Sequence, residues 1–206
     1  ILAVGLVLLL IWHLMQTGLG FGEAVRQASF NGVSIMTGTG YVSANFSAWG
    51  GFATTILLIV MFIGGCGGST TCGIKVFRLQ VLASTAKVQI SRLLRPHAVV
   101  LAYYNKRPVS VEVMDSVMGF FYLFILGFVL IAIMLGIAGL DFVTALSGAA
   151  TSISNVGPGL GEVIGADGNF STLPDSAKWI MSFAMLLGRL EIFTVLVMLN
   201  PAFWQR

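Results

Sequence analysis

Residues 27–74 read QASFNGVSIMTGTGYVSANFSAWGGFATTILLIVMFIGGCGGSTTCGI and carry no charged side chain. A membrane-crossing helix needs about 20 apolar residues, so this run is too long for one crossing, and glycines cut it into pieces. The stretch Gly22–Met36, which leads into it, is short and rich in small polar residues. Thr37-Gly38-Thr39-Gly40-Tyr41 then forms a turn, followed by an apolar segment from about residue 52 and by GGCGGSTTCG at 64–73. Five glycines in that last segment, each costing about 1 kcal/mol against alanine inside a helix, make a continuous helix through it implausible. An intramembrane loop carrying Ser69, Thr70 and Thr71 fits better.

The rest of the chain agrees with a lipid solvent. Of 206 residues, 57% are hydrophobic and 9% charged, and the mean hydropathy is +0.94. Soluble domains carry about 25% charged residues, so a water-soluble enzyme and a nucleic-acid binder are excluded. Four crossings are expected, at about 1–17, 52–80, 114–138 and 177–199. The chain opens on Ile1, already apolar and with no basic stretch before it, so 1–15 reads as a membrane helix entered partway. An upstream portion is expected. Cys66 and Cys72 fit neither a disulfide scaffold nor a metal motif.

Two stretches, 22–36 and 141–153, are too short and too polar to cross. Each follows a crossing and precedes a glycine-centred turn, the second being Ser154-Asn155-Val156-Gly157-Pro158. They fit re-entrant pore helices, since non-helical backbone at membrane depth is tolerated where it is buried or lines a cavity. Extramembrane loop helices are the plainer alternative. The two halves repeat as crossing, short helix, turn, crossing, with Gly40 matching Gly157. The expected fold is an all-α polytopic membrane protein of repeated M1–re-entrant pore helix–M2 units. The first unit spans 1–95, a linker 96–111 and the second unit 112–206.

A dehydrated cation needs replacement oxygens, and backbone carbonyls supply them without net charge. Glycine tolerates the conformations that aim successive carbonyls at one axis. The turns at Thr37, Gly38, Thr39, Gly40 and Tyr41 and at Ser154, Asn155, Val156, Gly157 and Pro158 are therefore candidate filter lines. Ordinary helix-to-helix turns would use the same residue types, and the matched position in two repeats favours the filter. Two copies cannot encircle an ion, so a ring of four requires further repeats or a dimer.

Gly64, Gly65, Cys66, Gly67, Gly68, Ser69, Thr70, Thr71, Cys72 and Gly73 form the candidate gate beneath that filter, with a close-packed kink as the alternative. Arg189 and Glu191 interrupt the last crossing. Charges at depth face a cavity or a partner. Arg189 is placed below the filter, repelling cations or holding the 64–73 loop, and Glu191 against a neighbouring helix; snorkelling to the inner interface is the competing placement. His13 stands alone in sequence, without a catalytic partner. Trp49, Trp179 and Trp204 sit where an interfacial aromatic belt belongs.

Lys75, Arg78, Lys87, Arg92, Arg95, Lys106 and Arg107 hold seven of the eleven basic residues, with no acid among them. The positive-inside rule places 75–111 and the C-terminus in the cytoplasm and both glycine turns on the outer side. Pro96 and the Arg107–Pro108 step break this segment near the surface.

IGGCGGSTTCGIKVFR (63–78), SNVGPGLGEV (154–163) and LLGRLEIFTVLVMLNPAFW (186–204) resemble the C-terminal half of the Trk-type potassium uptake proteins, the membrane pore subunits of the Trk/Ktr/HKT superfamily. The resemblance runs from about residue 20 to the end. It implies pore repeats three and four of a four-repeat polypeptide, with the first two repeats upstream. It implies K+ as the transported ion, with Thr39, Gly40, Asn155, Val156 and Gly157 as its ligands, and no catalytic activity. Gly64–Gly73 matches the family's gating loop in the broken M2 of repeat three, and Arg189 its pore-facing arginine. A homodimer, a cytosolic ring of nucleotide-binding regulatory subunits and a bacterial inner membrane are implied as well. Cys72 stands where glycine is common, and Gly38 where a hydroxyl is common. The alternative is a sodium-coupled or other cation symporter with broken helices. It calls for charged ligand-binding groups at mid-membrane, which the crossings lack apart from Arg189 and Glu191.

Overall fold

A computed structural model describes residues 2–95, 100–190, 192–199 and 201–204. The expectations for Pro96, Glu191 and Arg206 fall outside them. Helix α1 spans Leu2–Thr17 and α2 Phe21–Met36; a 3-10 turn at Phe46–Trp49 leads into α3, Gly51–Phe62, and α4 covers Val76–Leu94. Strands β1 (Tyr103–Tyr104) and β2 (Arg107–Pro108) form a minimal hairpin before α5, Val111–Ile137. Helix α6 spans Phe142–Ser154, α7 Asp175–Arg189, α8 Ile192–Leu199 and α9 Pro201–Trp204.

Helix α5 is the one helix among the described residues that is long and apolar enough to cross a membrane unaided. Ser110 caps it, accepting from Val113 N at 3.4 Å, and Glu112 lies in its first turn. Its 27 residues extend about 40 Å, more than the hydrocarbon core of about 30 Å. Its outward side chains include Tyr122, Ile125 and Ile133, all exposed, as a lipid-facing or helix-facing surface requires.

Two expected crossings differ from a single helix. The segment 52–80 stops at Phe62 and resumes at Val76, because the intervening glycines leave the helix no side-chain packing to offset their entropy. The resumed helix runs to Leu94, well past residue 80. Its buried Val81 and Val88 lie two turns apart on one face against polar neighbours, an amphipathic pattern that hydropathy averages out. The last crossing begins at Asp175 and is interrupted after Arg189. The linker adds a feature the charge pattern does not suggest: Asn105 and Lys106 both take positive φ (48° and 65°). That closes a two-residue hairpin with Tyr104 opposite Arg107. Asn-Lys replaces the usual Asn-Gly, so the turn is silent in sequence.

Trp49 does not join an aromatic belt. It is 4% exposed, accepts the Trp12 indole N–H on its carbonyl at 2.7 Å and stacks on His13 with ring centroids 4.1 Å apart. His13 is buried and its Nε2 lies 3.0 Å from Gln27 Oε1. Trp179 and Trp204 are well exposed.

Two apolar clusters meet at α6. One gathers Leu9, Ile35, Phe46, Leu57 and Met61 from the first half, yet includes Ala150, Val156 and Leu160 from the second. The other packs Phe124, Ile131 and Leu135 of α5 and Met181 and Ala184 of α7 around Ala149 and Ile153. Small residues along α6 let these helices approach closely, and α6 is buried along most of its length.

Helix α6 starts at Asp141, whose carboxylate accepts from Thr144 N at 3.2 Å. Bonding to the Thr144 side chain, above all, and to backbone N–H groups holds the Asp141 carboxyl below its ordinary range. A lowered carboxyl pKa stabilises the fold above the unfolded-state value, and that contribution is lost as pH falls through the folded-state value. Asp141→Ala is expected to cost about 1 kcal/mol at neutral pH and Asp141→Asn much less. Thermal unfolding of the purified protein in detergent measures both, and the alanine deficit should shrink as the medium is acidified.

Candidate ion pathway

The C-terminal ends of α2 and α6 deliver the two glycine turns. At the first, Thr39 N and Gly40 N both donate to Ser34 O (3.0 and 3.3 Å), and Ser34 Oγ donates to Tyr41 O at 2.7 Å. Asn31 grips the outgoing chain twice, donating to Ser43 Oγ at 3.0 Å and accepting from Ser43 N at 3.1 Å. At the second turn, Val156 N donates to Thr151 O and Gly157 N to Thr151 Oγ1, both at 3.0 Å. Ser147 Oγ exchanges bonds with Leu160 O and N at 3.2 and 3.1 Å.

The repeat reaches down to backbone conformation. Gly38 and Gly40 have φ of +68° and +75°; their counterparts Asn155 and Gly157 have +52° and +114°. Thr39 and Val156, between them, do not. Ser34 and Thr151 stand at the same distance before Gly40 and Gly157, and each hydroxyl bonds into its own turn. Sequence reasoning missed this pair and also Asn31 and Ser147. The available signal was a hydroxyl six residues before each central glycine.

The two turns lie against each other. A methyl group built on Gly40 would stand 2.3 Å from Val156 O, one on Gly157 3.6 Å from Gly40 Cα, and one on Gly38 3.5 Å from Asn155 O. No charged side chain belongs to either turn. The negative ends of the α2 and α6 dipoles point toward both, a field that favours a cation.

Below the turns, residues 64–73 form a closed loop. Gly64 N donates to Ile74 O at 2.9 Å, Ile74 N to Phe62 O at 2.8 Å and Val76 N to Gly65 O at 3.1 Å. The neck is tight: a methyl on Gly64 would meet Cys72 O at 2.3 Å. Within the loop, Gly67 and Gly68 lead to Ser69, whose N donates to Cys66 O at 3.0 Å. Ser69 Oγ and Thr71 Oγ1 are 2.9 Å apart. Cys66 is exposed and Cys72 partly so.

Arg189 reaches this loop from the other half of the chain. Its Nη1 donates to Thr70 O at 2.9 Å and lies 3.7 Å from Cys72 Sγ. Its placement depends on Gly188, which sequence reasoning passed over. A methyl there would stand 1.9 Å from Ile153 O, so glycine alone lets α7 close on the end of α6. Asn155 Nδ2 donates across that contact to Met185 O at 3.0 Å. Thr37, Gly38, Thr70, Thr71, Asn155 and Arg189 line a polar cavity of about 100 Å³ between turns and loop. A second cavity of about 250 Å³ opens beside the loop, next to Lys75, Arg78 and Phe120. The Arg78 guanidinium sits 3.8 Å from the Phe120 ring centroid, a cation–π contact.

With this geometry in hand, comparison with known proteins is specific. Residues 13–206 match the family model TrkH, described as cation transport protein. The chain is 46% identical to the Trk system potassium uptake protein TrkI of Halomonas elongata, over 96% of this chain and 40% of the relative. It is 37% identical to the Trk system potassium uptake protein TrkH of Escherichia coli K12, over 88% of this chain and 37% of that one. It superposes on the crystal structure of the potassium transporter TrkH from Vibrio parahaemolyticus with a TM-score of 0.86 and 39% identity, covering 98% of this chain and 42% of that one. The chain thus spans well under half the length of these relatives. Its fold is the all-α polytopic membrane architecture of pore-loop repeats.

Gly188→Ala should force α7 away from Ile153 and release Arg189 from Thr70. The expected result is a marked loss of folded protein on size-exclusion chromatography in detergent, whereas Gly136→Ala, which meets open space, should behave as the parent.

Proposed function

The chain belongs to the TrkH family of cation transport proteins, and on that premise we propose that it forms two pore repeats of a potassium uptake protein. Residues 1–95 and 112–206 are repeats three and four, and 96–111 is the cytoplasmic linker between them. The first two repeats lie elsewhere on the same polypeptide and complete a four-sided filter. The observation that carries this reading is the contact of Gly40 with Val156 O, which brings two turns of matched conformation together at the ends of two short helices.

Alternation of positive and negative φ along each turn supports a carbonyl filter. A regular strand sends successive carbonyls to opposite sides, and a positive φ at every second residue turns them toward one side. Carbonyl oxygens, with the Thr39 hydroxyl, then replace the hydration shell of K+ at Thr39, Gly40, Asn155, Val156 and Gly157. The paired hydroxyls of Ser34 and Thr151 hold the turns against collapse onto the ion.

The 64–73 loop is the gate, and Arg189 is its latch. Its bond to Thr70 O keeps the loop under the filter, and its charge opposes cations there. The protein sits in a bacterial inner membrane with the filter on the outer side and residues 75–111 and the C-terminus inside, as the basic residues favour. By likeness to the Trk proteins it works as a homodimer, with a ring of nucleotide-binding regulatory subunits on its cytoplasmic face.

Flux of the complete polypeptide in proteoliposomes tests this. Gly40→Ser and Gly157→Ser should each lower K+ flux by more than about tenfold, equivalent to about 1.4 kcal/mol. Arg189→Gln and a shortened 64–73 loop should raise leak. Normal K+ flux in both glycine variants, with normal folding, would refute the filter.

A further inference from the structure

We propose that Thr71 couples the loop to the filter, so that the loop's position sets ion preference as well as flow. The inference rests on reading the turns as a filter and adds a specificity-determining residue to it. Thr71 Oγ1 lies 3.4 Å from Thr37 O, the first carbonyl of the first turn. Its methyl carbon is 3.7 Å from where a side chain on Gly38 would begin. This is the point where the loop reaches the turn itself.

The donors and acceptors balance in a way that directs the Thr71 proton. Ser69 Oγ accepts from Thr71 N at 3.3 Å and lies 2.9 Å from Thr71 Oγ1. With Ser69 donating to Thr71, the Thr71 hydrogen is free to go to Thr37 O. Arg189, bonded to the neighbouring Thr70 O, fixes the segment that carries it. Other hydroxyls near this turn are committed elsewhere: Thr37 Oγ1 donates to Val33 O at 2.8 Å and lies 2.8 Å from Thr39 Oγ1.

A carbonyl that accepts a hydrogen bond offers less of its lone-pair density to an ion. Selectivity depends on the number and field strength of the coordinating oxygens. Interaction energy rises as the ion–oxygen distance falls, so a stronger oxygen benefits small Na+ more than K+. With the loop in place, Thr71 weakens Thr37 O, the carbonyl at the inner end of the filter line that an ion meets as it leaves the Thr39 and Gly40 ligands, and so favours the larger ion. With the loop withdrawn, Thr37 O regains its full field and the preference relaxes. The cavity of about 100 Å³ between Thr37 and Thr71 gives the loop room to part from the turn.

The test compares K+ and Na+ flux through the complete polypeptide in proteoliposomes, for the parent, Thr71→Val, Thr71→Ala and Thr71→Ser. Valine keeps the volume and removes the donor; serine keeps the donor. The K+:Na+ flux ratio should fall about threefold in the valine and alanine variants, the scale of one neutral hydrogen bond, and stay at the parent value in serine. A change in total flux with an unchanged ratio would make Thr71 a tether only and overturn the coupling, while the filter reading stood. An equal fall in serine would overturn it too. Absence of K+ flux in the parent would sink the filter reading and the coupling with it. Should valine fail to fold, alanine carries the same comparison.

Discussion

Backbone N–H and C=O groups at membrane depth must find their partners inside the protein. Two short helices stop partway and hand over to irregular turns, which strands several such groups at each end. Ser34, Asn31, Thr151 and Ser147 answer that requirement by bonding the first residues after each helix. The N–H groups of Thr39 and Gly40 go to the Ser34 carbonyl, and those of Val156 and Gly157 to the Thr151 carbonyl and hydroxyl. The same solution in both halves, at matching positions, makes the turns a constructed feature and not a by-product of chain reversal.

The loop obeys the same constraint by another route. Its neck closes through backbone bonds between Phe62, Gly64, Gly65, Ile74 and Val76, so the helices on either side can end without exposing polar backbone to lipid. The tip remains held by side chains: Arg189 on Thr70 and Thr71 near Thr37. A segment anchored by a strong neck and a few tip contacts can shift its tip without unfolding its base. Glycine at 188 draws Arg189 close enough for this by letting α7 meet the end of α6. The glycine turns, the 64–73 loop and the last helix thus form one connected unit across the two halves.

Much of this is legible in the residues. Charge-free runs point to most of the crossings, the interrupted run at 64–73 to the loop, and the matched glycines to the turns. A charge at depth needs a partner, which points Arg189 to the region of the turns and the loop. The contacts that fix the geometry were harder to see. Ser34 and Thr151 are ordinary small polar residues until the chain folds back on them, and Gly188 resembles any helical glycine until Ile153 O is found against it. The extension of α4 to Leu94 was masked because Lys87 and Arg92 lower local hydropathy without stopping a helix. The hairpin at 103–108 uses left-handed Asn105 and Lys106, where glycine would have announced it. The place of Trp49 at a helix start points to the membrane surface, but the fold buries it between Phe46 and His13.

If a dehydrated cation occupies the space beside Gly40 and Gly157, as proposed, anomalous diffraction from crystals of the complete protein grown with Rb+ or Tl+ will reveal it. A peak is expected on the axis shared by the two turns, within coordination distance of the Gly40 and Gly157 carbonyls. A well-ordered filter region without such a peak, or heavy-ion density confined to the protein's outer surface, would contradict it.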